Sequence, residues 1–455
     1  MRVPFAPLLH LMAAAVNNNN NNNPPTTTTT STMNRLATLR PFTPPKDDGT
    51  PRTTSLEGRT EDMNKLFQDG APLSKAELQD ILHSIQNVCP SSTDSTSTVV
   101  DLKKLESTLS DVAHISHKDW TVTEANSKIL GDILLPDGMT SPVARQLLER
   151  ILKDGNWDAA ATHAKTHHDN NLPWAVLVTG VNGIRKTTSI YQDWWPKLLQ
   201  EALVPPSTAD KDDETTKKRK STEEFPMEQL PAGSNSFFRQ LDHMIATLCN
   251  EDFKALYVLT EKELDNKTTE PPPELVKKYS DLKAAIFSRY RTLSELLGAK
   301  LLQEAQALQS NCMMETSGRD VAMFHYVDHF FDASNYHKLA LHFTINNLAQ
   351  AQESVDKRMI SEIQAGIQAL TDKDDFHIIY ANAGGPYGSE VLPGVQTASD
   401  AVWNDIVLKN KEVGQDWYKA TIAITAHPTE PWTAQAVRPD GSLGTAFTFS
   451  NKNKQ

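Results

Sequence analysis

The chain is poor in cysteine. Cys89, Cys249 and Cys312 are the only three in 455 residues, they stand far apart, and no two form a C-x-x-C pair. This excludes a disulfide framework and a cysteine-built zinc site, and it suits a reducing, cytoplasmic setting. Long apolar runs are missing too. No stretch approaches the roughly twenty residues that cross a bilayer, so no membrane span is expected. Basic charge is in deficit, with 45 Lys and Arg against 57 Asp and Glu and a net charge of −12. A general nucleic-acid binder needs a basic face, so nucleic acid is not an expected partner. Hydrophobic residues make up 38% and mean hydropathy is −0.47, which reads as a soluble chain with a sizeable unstructured share.

Acidic residues are absent from the first 46 positions, which carry Arg2, Arg35, Arg40 and Lys46 before the first acid at Asp47. An acid-free start bearing Arg and Thr resembles a mitochondrial or plastid transit peptide. Residues 5–16 read alternatively as a secretory h-region. The asparagine run at 17–23 and the Pro and Thr tracts after it read as a low-complexity leader without targeting. Residues 1–59 show no apolar period and are expected to be disordered.

Residues 60–165 read as a helical region without visible chemistry. Ser74-Lys75-Ala76-Glu77 is a capping box with Leu73 and Leu78 as its hydrophobic staple. Leu78, Ile81, Leu82, Ile85 and Val88 follow at helical spacing. Ser141 and Pro142 open a second helix that Gly155 closes, with Leu147, Leu148, Ile151 and Leu152 on its apolar face.

What stands out is the order of residue types from 174 to 203. The apolar run Trp174-Ala175-Val176-Leu177-Val178 leads through Thr179 into Gly180-Val181-Asn182-Gly183-Ile184-Arg185-Lys186-Thr187-Thr188, and a helix is expected over 190–203. The pattern G-x-x-x-x-G-K-[ST] sets a glycine turn between a buried strand and a helix, with backbone N–H groups facing phosphates. Lys186 is placed to reach the β- and γ-phosphates and Thr187 to hold Mg²⁺, so ATP and Mg²⁺ are the expected cofactors. Arg185 stands where the pattern has glycine. If that position needs positive φ, its Cβ costs about 1–2 kcal/mol. The plainer alternative is a strand–turn–helix connection that carries Lys-Thr by chance.

Strand-like and helix-like segments alternate from 172 to 381, which implies an α/β domain over 166–382 with a largely parallel sheet. With the loop, the expected fold is a three-layer P-loop NTPase domain, preceded by the helical region and a disordered N-terminus. A charged insert at 205–232 contains Lys217-Lys218-Arg219-Lys220, a solvated loop or a nuclear localisation signal. Helices are expected over 236–248, 252–259, 282–308 and 348–370, and strands over 312–314, 338–345 and 376–381. Residues 383–455 form a C-terminal extension of unknown role, with strand-like pieces at 419–425 and 445–449.

Ligands bind such sheets at the carboxyl ends of the strands, where Gly180 and Glu315 both fall. Glu315-Thr316-Ser317-Gly318-Arg319 is therefore a second candidate site. Glu315 is placed to orient Mg²⁺ or accept a proton, and Arg319 to clamp a phosphate or an acidic substrate. A helix cap at Thr316 or Ser317 is the plainer reading. Arg358 lies one strand and half a helix later, where an arginine neutralises charge on a transferred phosphoryl group or else makes a surface salt bridge. Arg289 and Arg291 are further candidates of that kind. Asp242 is a candidate base, or a polar residue on a helix surface.

Taken together, the loop 180–188, Glu315-Thr316 with Arg319, and the segment bearing Arg358 resemble the zeta toxin family of P-loop kinases over roughly 172–365. The resemblance implies that the loop binds ATP and that Glu315 and Thr316 line a substrate site. It also implies that helix arginines complete a phosphate pocket, and that an early Asp, here Asp242, acts as base. The implied reaction is phosphorylation of a hydroxyl on a small molecule, which in the family includes a nucleotide sugar. The same loop with Glu315-Thr316-Ser317-Gly318-Arg319 is also similar to signal-recognition-particle GTPases. Their guanine reader has only an out-of-pattern counterpart here, Thr371-Asp372-Lys373-Asp374. A third reading is a degenerate nucleotide-binding fold in which Arg185 closes the pocket and the helical region recruits partners.

Overall fold

The computed structural model describes residues 53–88, 100–115, 119–135, 138–140, 142–167, 171–206, 225–264, 270–372, 375–382 and 384–450. The expectations for residues 1–52, for Ser141 and for the basic run 217–220 lie outside these residues. Seven helices open the described chain: α1 (Leu56–Gln68), α2 (Lys75–Val88), α3 (Leu102–Val112), α4 (Trp120–Leu134), α5 (Pro142–Leu147), α6 (Glu149–Asp154) and α7 (Trp157–His167). Then come β1 (Trp174–Thr179), α8 (Lys186–Ile190), α9 (Trp195–Ala202), β2 (Ser236–Arg239), α10 (Leu241–Leu248) and α11 (Asn250–Glu263). They are followed by α12 (Pro273–Arg289), α13 (Arg291–Ala307), β3 (Asn311–Glu315), α14 (Ala322–Phe330), β4 (His337–Ile345) and α15 (Leu348–Thr371). The chain closes with α16 (Asp375–Ala381), α17 (Leu392–Val402), β5 (Tyr418–Thr425), β6 (Thr433–Val437) and β7 (Phe447–Thr448).

The strands form one sheet in the order β2-β3-β1-β4-β5-β6-β7. Pairing is parallel from β2 through β5 and antiparallel across β5, β6 and β7. Side chains on β1 alternate between two cores. Trp174, Val176 and Val178 join Trp195, Leu198 and Leu199 of α9, while Ala175 and Leu177 join the helices α10 to α13. The N-terminal helices share that second core through Leu105, Ile133 and Ile151. Helices thus cover both faces, which is why the parallel strands read as near-continuous apolar runs rather than alternating ones. Residues 418–448, read from sequence as part of an extension, supply three strands to the same sheet. Among the described residues no helix is long and apolar enough to cross a membrane.

The capping box is present. Ser74 N–H donates to Glu77 Oε2 at 2.7 Å and Glu77 N–H donates to Ser74 Oγ at 3.2 Å, with Leu73 and Leu78 buried beside it.

Several expectations need correction. Order begins before residue 60: Ser55 caps α1, accepting from Gly58 N–H, and Leu56 is buried. The helix expected over 190–203 is two pieces, because Pro196 starts a new helix instead of continuing the old one. Residues 236–239 are strand, not helix; four wholly buried residues are too few to display a period. The single helix expected over 282–308 breaks at Tyr290 (φ −103, ψ 14), whose hydroxyl donates to Asp252 Oδ2 at 2.6 Å. The helix that Gly155 ends is interrupted at Leu148. Residues 376–381 are helical, a short apolar run whose type no period could decide.

Candidate functional site

The loop leaves the carboxyl end of β1 in a tight path. Gly180 (φ 121), Gly183 (φ 81) and Arg185 (φ 63) all adopt positive φ. At Gly183 a Cβ would meet the Ala351 carbonyl oxygen at 2.4 Å, so the loop sits directly on the first turn of α15. Val181 and Ile184 are buried in the core that holds Trp195, which pins the loop between its turns. Backbone bonds tie the strand ends together: Thr316 N–H donates to Val178 O at 2.9 Å and Gly180 N–H to Ser317 O at 3.3 Å. Beneath them Thr179 Oγ1 lies 2.9 Å from His342 Nδ1, and His342 Nε2 lies 3.1 Å from Asp400 Oδ1.

Arg185 confirms the conformation that makes glycine the usual choice there. Its strain of about 1–2 kcal/mol is offset by stacking. The guanidinium carbon lies 4.2 Å from the Trp432 ring centre and 5.6 Å from that of Phe449. A cation over an aromatic face contributes about 0.5–2 kcal/mol, so the two effects are comparable.

Lys186 curls back over the loop. Its Nζ donates to Gly180 O at 2.8 Å and Val181 O at 2.7 Å, and lies 3.0 Å from Glu315 Oε1. Thr187 Oγ1 donates to Glu315 Oε2 at 3.5 Å. Burial pushes the Glu315 carboxyl above its ordinary range, against the opposing pull of Lys186, of the Thr187 hydroxyl and of Arg358. The parallel register sets this meeting, since Val178 is paired with Glu315 across β1 and β3. Thr188 lies half-buried in α8, and Asn182 is buried with an Oδ1 that finds no partner among the described residues. Helix α8 is only five residues long, so a helix dipole contributes little at this loop.

A second group of charges is buried beside Glu315. Asp242, in the first turn of α10, follows the carboxyl end of β2. Its Oδ2 has no hydrogen-bond partner among the described residues. Burial pushes its carboxyl up to about 7, although Lys283, Arg291 and Arg358 pull it down; Glu315 adds to the rise. Lys283 binds Glu362 at 2.6 Å and Gly384 O at 2.7 Å, and burial brings its ammonium down to about 8. Arg358 donates to Gly385 O at 2.9 Å, with Glu362 Oε1 at 3.6 Å from its Nε. Its Nη1 is without a hydrogen bond among the described residues, as are the hydroxyl of Tyr387 and the side-chain amide of Asn382. The charges of Arg319, Arg291 and Asp242 all reach Tyr387.

Lys186, Thr187 and Glu315 thus converge, and Arg358, Arg319 and Asp242 share their neighbourhood. Arg358 is no surface salt bridge, and Asp242 is not on a helix surface; both are buried. Thr316 Oγ1 accepts from Gly318 N–H at 3.4 Å within the turn, but neither Thr316 nor Ser317 caps a helix, because α14 starts only at Ala322 with Val321 at its N-cap. Arg289 lies apart, bound to Glu77 Oε1 at 2.7 Å. Thr371 and Asp372 close α15 rather than follow a strand, so they are not where a guanine reader belongs. Lys283 and Glu362 are not legible in the sequence, because charges on long helices look like solvent faces, and Asn382 and Tyr387 stand in connecting segments that carry no motif. Among the described residues no cluster of three or more His, Cys, Asp or Glu forms a ready-made metal cage.

No family model, no curated protein and no solved structure matches this chain.

Proposed function

We propose that the chain is an ATP-dependent phosphotransferase, a P-loop kinase of the zeta toxin-like kind, acting on a hydroxyl of a small molecule such as a nucleotide sugar. The observation that carries this reading is the convergence of Lys186, Thr187 and Glu315 beside a loop with three positive-φ residues. Successive N–H groups in such a loop form a concavity for anions. Lys186 exchanges its two carbonyl contacts for phosphate oxygens. Mg²⁺ fits the donors present, because Thr187 and Glu315 offer the hard oxygens it takes; when bound, it neutralises charge on the phosphates. Asp242 accepts the proton of the acceptor hydroxyl. The hydroxyl oxygen bonds to the γ-phosphorus while the bond to the β,γ-bridging oxygen breaks, and ADP leaves. A base that titrates near 7 is matched to neutral pH. Arg358 and Arg319 supply positive charge on the acceptor side.

A second reading is nucleotide binding without turnover, with the N-terminal helices recruiting partners. One feature favours it: all three N–H directions of Lys186 are engaged by Gly180, Val181 and Glu315. Transfer of label from γ-labelled ATP to a panel of sugars and nucleotide sugars separates the two. Transfer that Asp242→Asn abolishes supports the kinase. Binding without transfer supports the second reading, and no binding removes both.

A further inference from the structure

Arg185, the residue that departs from the loop's pattern, sits in an environment that phosphate recognition alone does not call for. Phosphates need N–H donors and cations, yet the guanidinium carbon of Arg185 lies over one aromatic ring at 4.2 Å from its centre and over a second at 5.6 Å. Its Nε has no hydrogen-bond partner among the described residues. Partial burial lowers its pKa, and no carboxylate offsets that effect. Trp432 is fixed in turn, its indole N–H donating to His427 O at 3.2 Å and its own carbonyl accepting from Phe449 N–H at 3.2 Å. The three side chains line one end of a cavity of about 940 Å³ that runs along α15 past Gln350, Ser354 and Arg358. A volume of this size holds a small-molecule ligand.

A planar guanidinium seated on an indole and opening on such a cavity is a stacking surface for a flat, electron-rich ring. We propose that Arg185 and Trp432 form the platform that takes the base of the nucleotide whose phosphates the loop holds. The residue that replaces glycine thereby determines nucleoside binding. This inference rests on the phosphate-loop reading above and deepens it. The loop itself delivers the platform: Arg185 directly precedes Lys186, so phosphate and base contacts are set by one short segment. The left-handed backbone at Arg185 sends its side chain toward Trp432 while Lys186 turns to Glu315.

The test compares Mg²⁺-ATP with inorganic tripolyphosphate plus Mg²⁺ by calorimetric titration of the full chain. The proteins are wild type, Arg185→Gly, Trp432→Leu and Trp432→Phe. Wild type is expected to bind ATP more tightly than tripolyphosphate. Arg185→Gly and Trp432→Leu are expected to lose about tenfold or more in ATP affinity. Tripolyphosphate affinity should change by less than about twofold in Trp432→Leu and should fall clearly less than ATP affinity in Arg185→Gly, while Trp432→Phe, which keeps a ring, should retain most ATP binding. Equal losses for both probes would show that the pair only braces the loop and would overturn the proposal. Unchanged ATP affinity would overturn it as well. Binding of neither probe to wild type would remove the phosphate-loop reading itself, an outcome distinct from the other two. Arg185→Gly puts the pattern's own residue in place, so it gives an answer even where Trp432→Leu does not fold.

Discussion

The ammonium of Lys186 lies 3.0 Å from the carboxylate of Glu315, and both side chains are buried. Lys186 follows β1 by seven positions and Glu315 ends β3, so the pair joins two neighbouring strand ends across the loop. Removing one partner leaves the other as an uncompensated buried charge, which typically costs about 3–5 kcal/mol. Lys186→Ala is therefore expected to unfold at lower urea than wild type. Loss of activity in that variant alone does not isolate a role in chemistry. Glu315→Gln combined with Lys186→Ala should recover part of the loss, with a coupling of about 1–3 kcal/mol in a double-mutant cycle of urea midpoints. Strictly additive midpoints would show that the ion pair has no energetic weight.

Asp242 should make stability depend on pH in a definite direction. The unfolded chain releases this proton near 3.8 and the folded chain near 7. Between those values the folded protein holds more protons, so stability falls as pH rises and levels off above about 7. The full effect is on the order of 4 kcal/mol. The difference in Tm between Asp242→Asn and wild type should shift in favour of the variant from pH 4 to pH 7. A difference that stays constant would mean that the carboxyl titrates normally.

The same carboxyl sets the expected rate profile. Turnover should rise with pH through about 7 as Asp242 ionises, and Asp242→Asn should lower it by about 10²–10⁴-fold. A flat profile with an unimpaired variant would take the base role from Asp242.

Gly183 joins a positive φ to close contact with α15. Gly183→Ala places a Cβ 2.4 Å from the Ala351 carbonyl oxygen, which a backbone atom cannot yield cheaply. Nucleotide binding by calorimetry should fall below detection while circular dichroism keeps its helical signal. Wild-type affinity in this variant would mean that the loop is not seated on α15.

Glu77 does two things at once, closing the capping box of α2 and holding Arg289. A lost cap costs about 1 kcal/mol, and a lost partner for a buried arginine costs about 3–5 kcal/mol. Glu77→Ala should therefore lower stability by clearly more than a cap alone, read from urea midpoints. A loss near 1 kcal/mol would mean that Arg289 finds another partner. Burial works to raise the Glu77 carboxyl, but Arg289 and the hydrogen bonds from Ser74 hold it below its ordinary range, so this contribution should fade as the solution is acidified.

What was legible in the sequence was local. The phosphate-type loop is an order of residue types within sixteen positions, and the capping box spans four. Glu315 was found because a short apolar run pointed to a strand end. Lys283 and Glu362 sit on long helices where charge normally faces water. They are buried because the N-terminal helices add to the core on that side of the sheet, a consequence of packing across large sequence separations. Residues 236–239 and 376–381 were misassigned because four to six apolar residues carry no usable period. The contact between Arg185 and Trp432 joins positions 247 residues apart, beyond any local signal.

The most direct measurement is the thermal midpoint of the full chain against rising Mg²⁺-ATP, with adenosine at matched concentrations as control. A ligand at 100 times its Kd stabilises by about 2.7 kcal/mol, so the midpoint should climb steadily with Mg²⁺-ATP and respond far less to adenosine. A midpoint that stays fixed to millimolar Mg²⁺-ATP, or that follows adenosine equally, would contradict phosphate binding at residues 180–188.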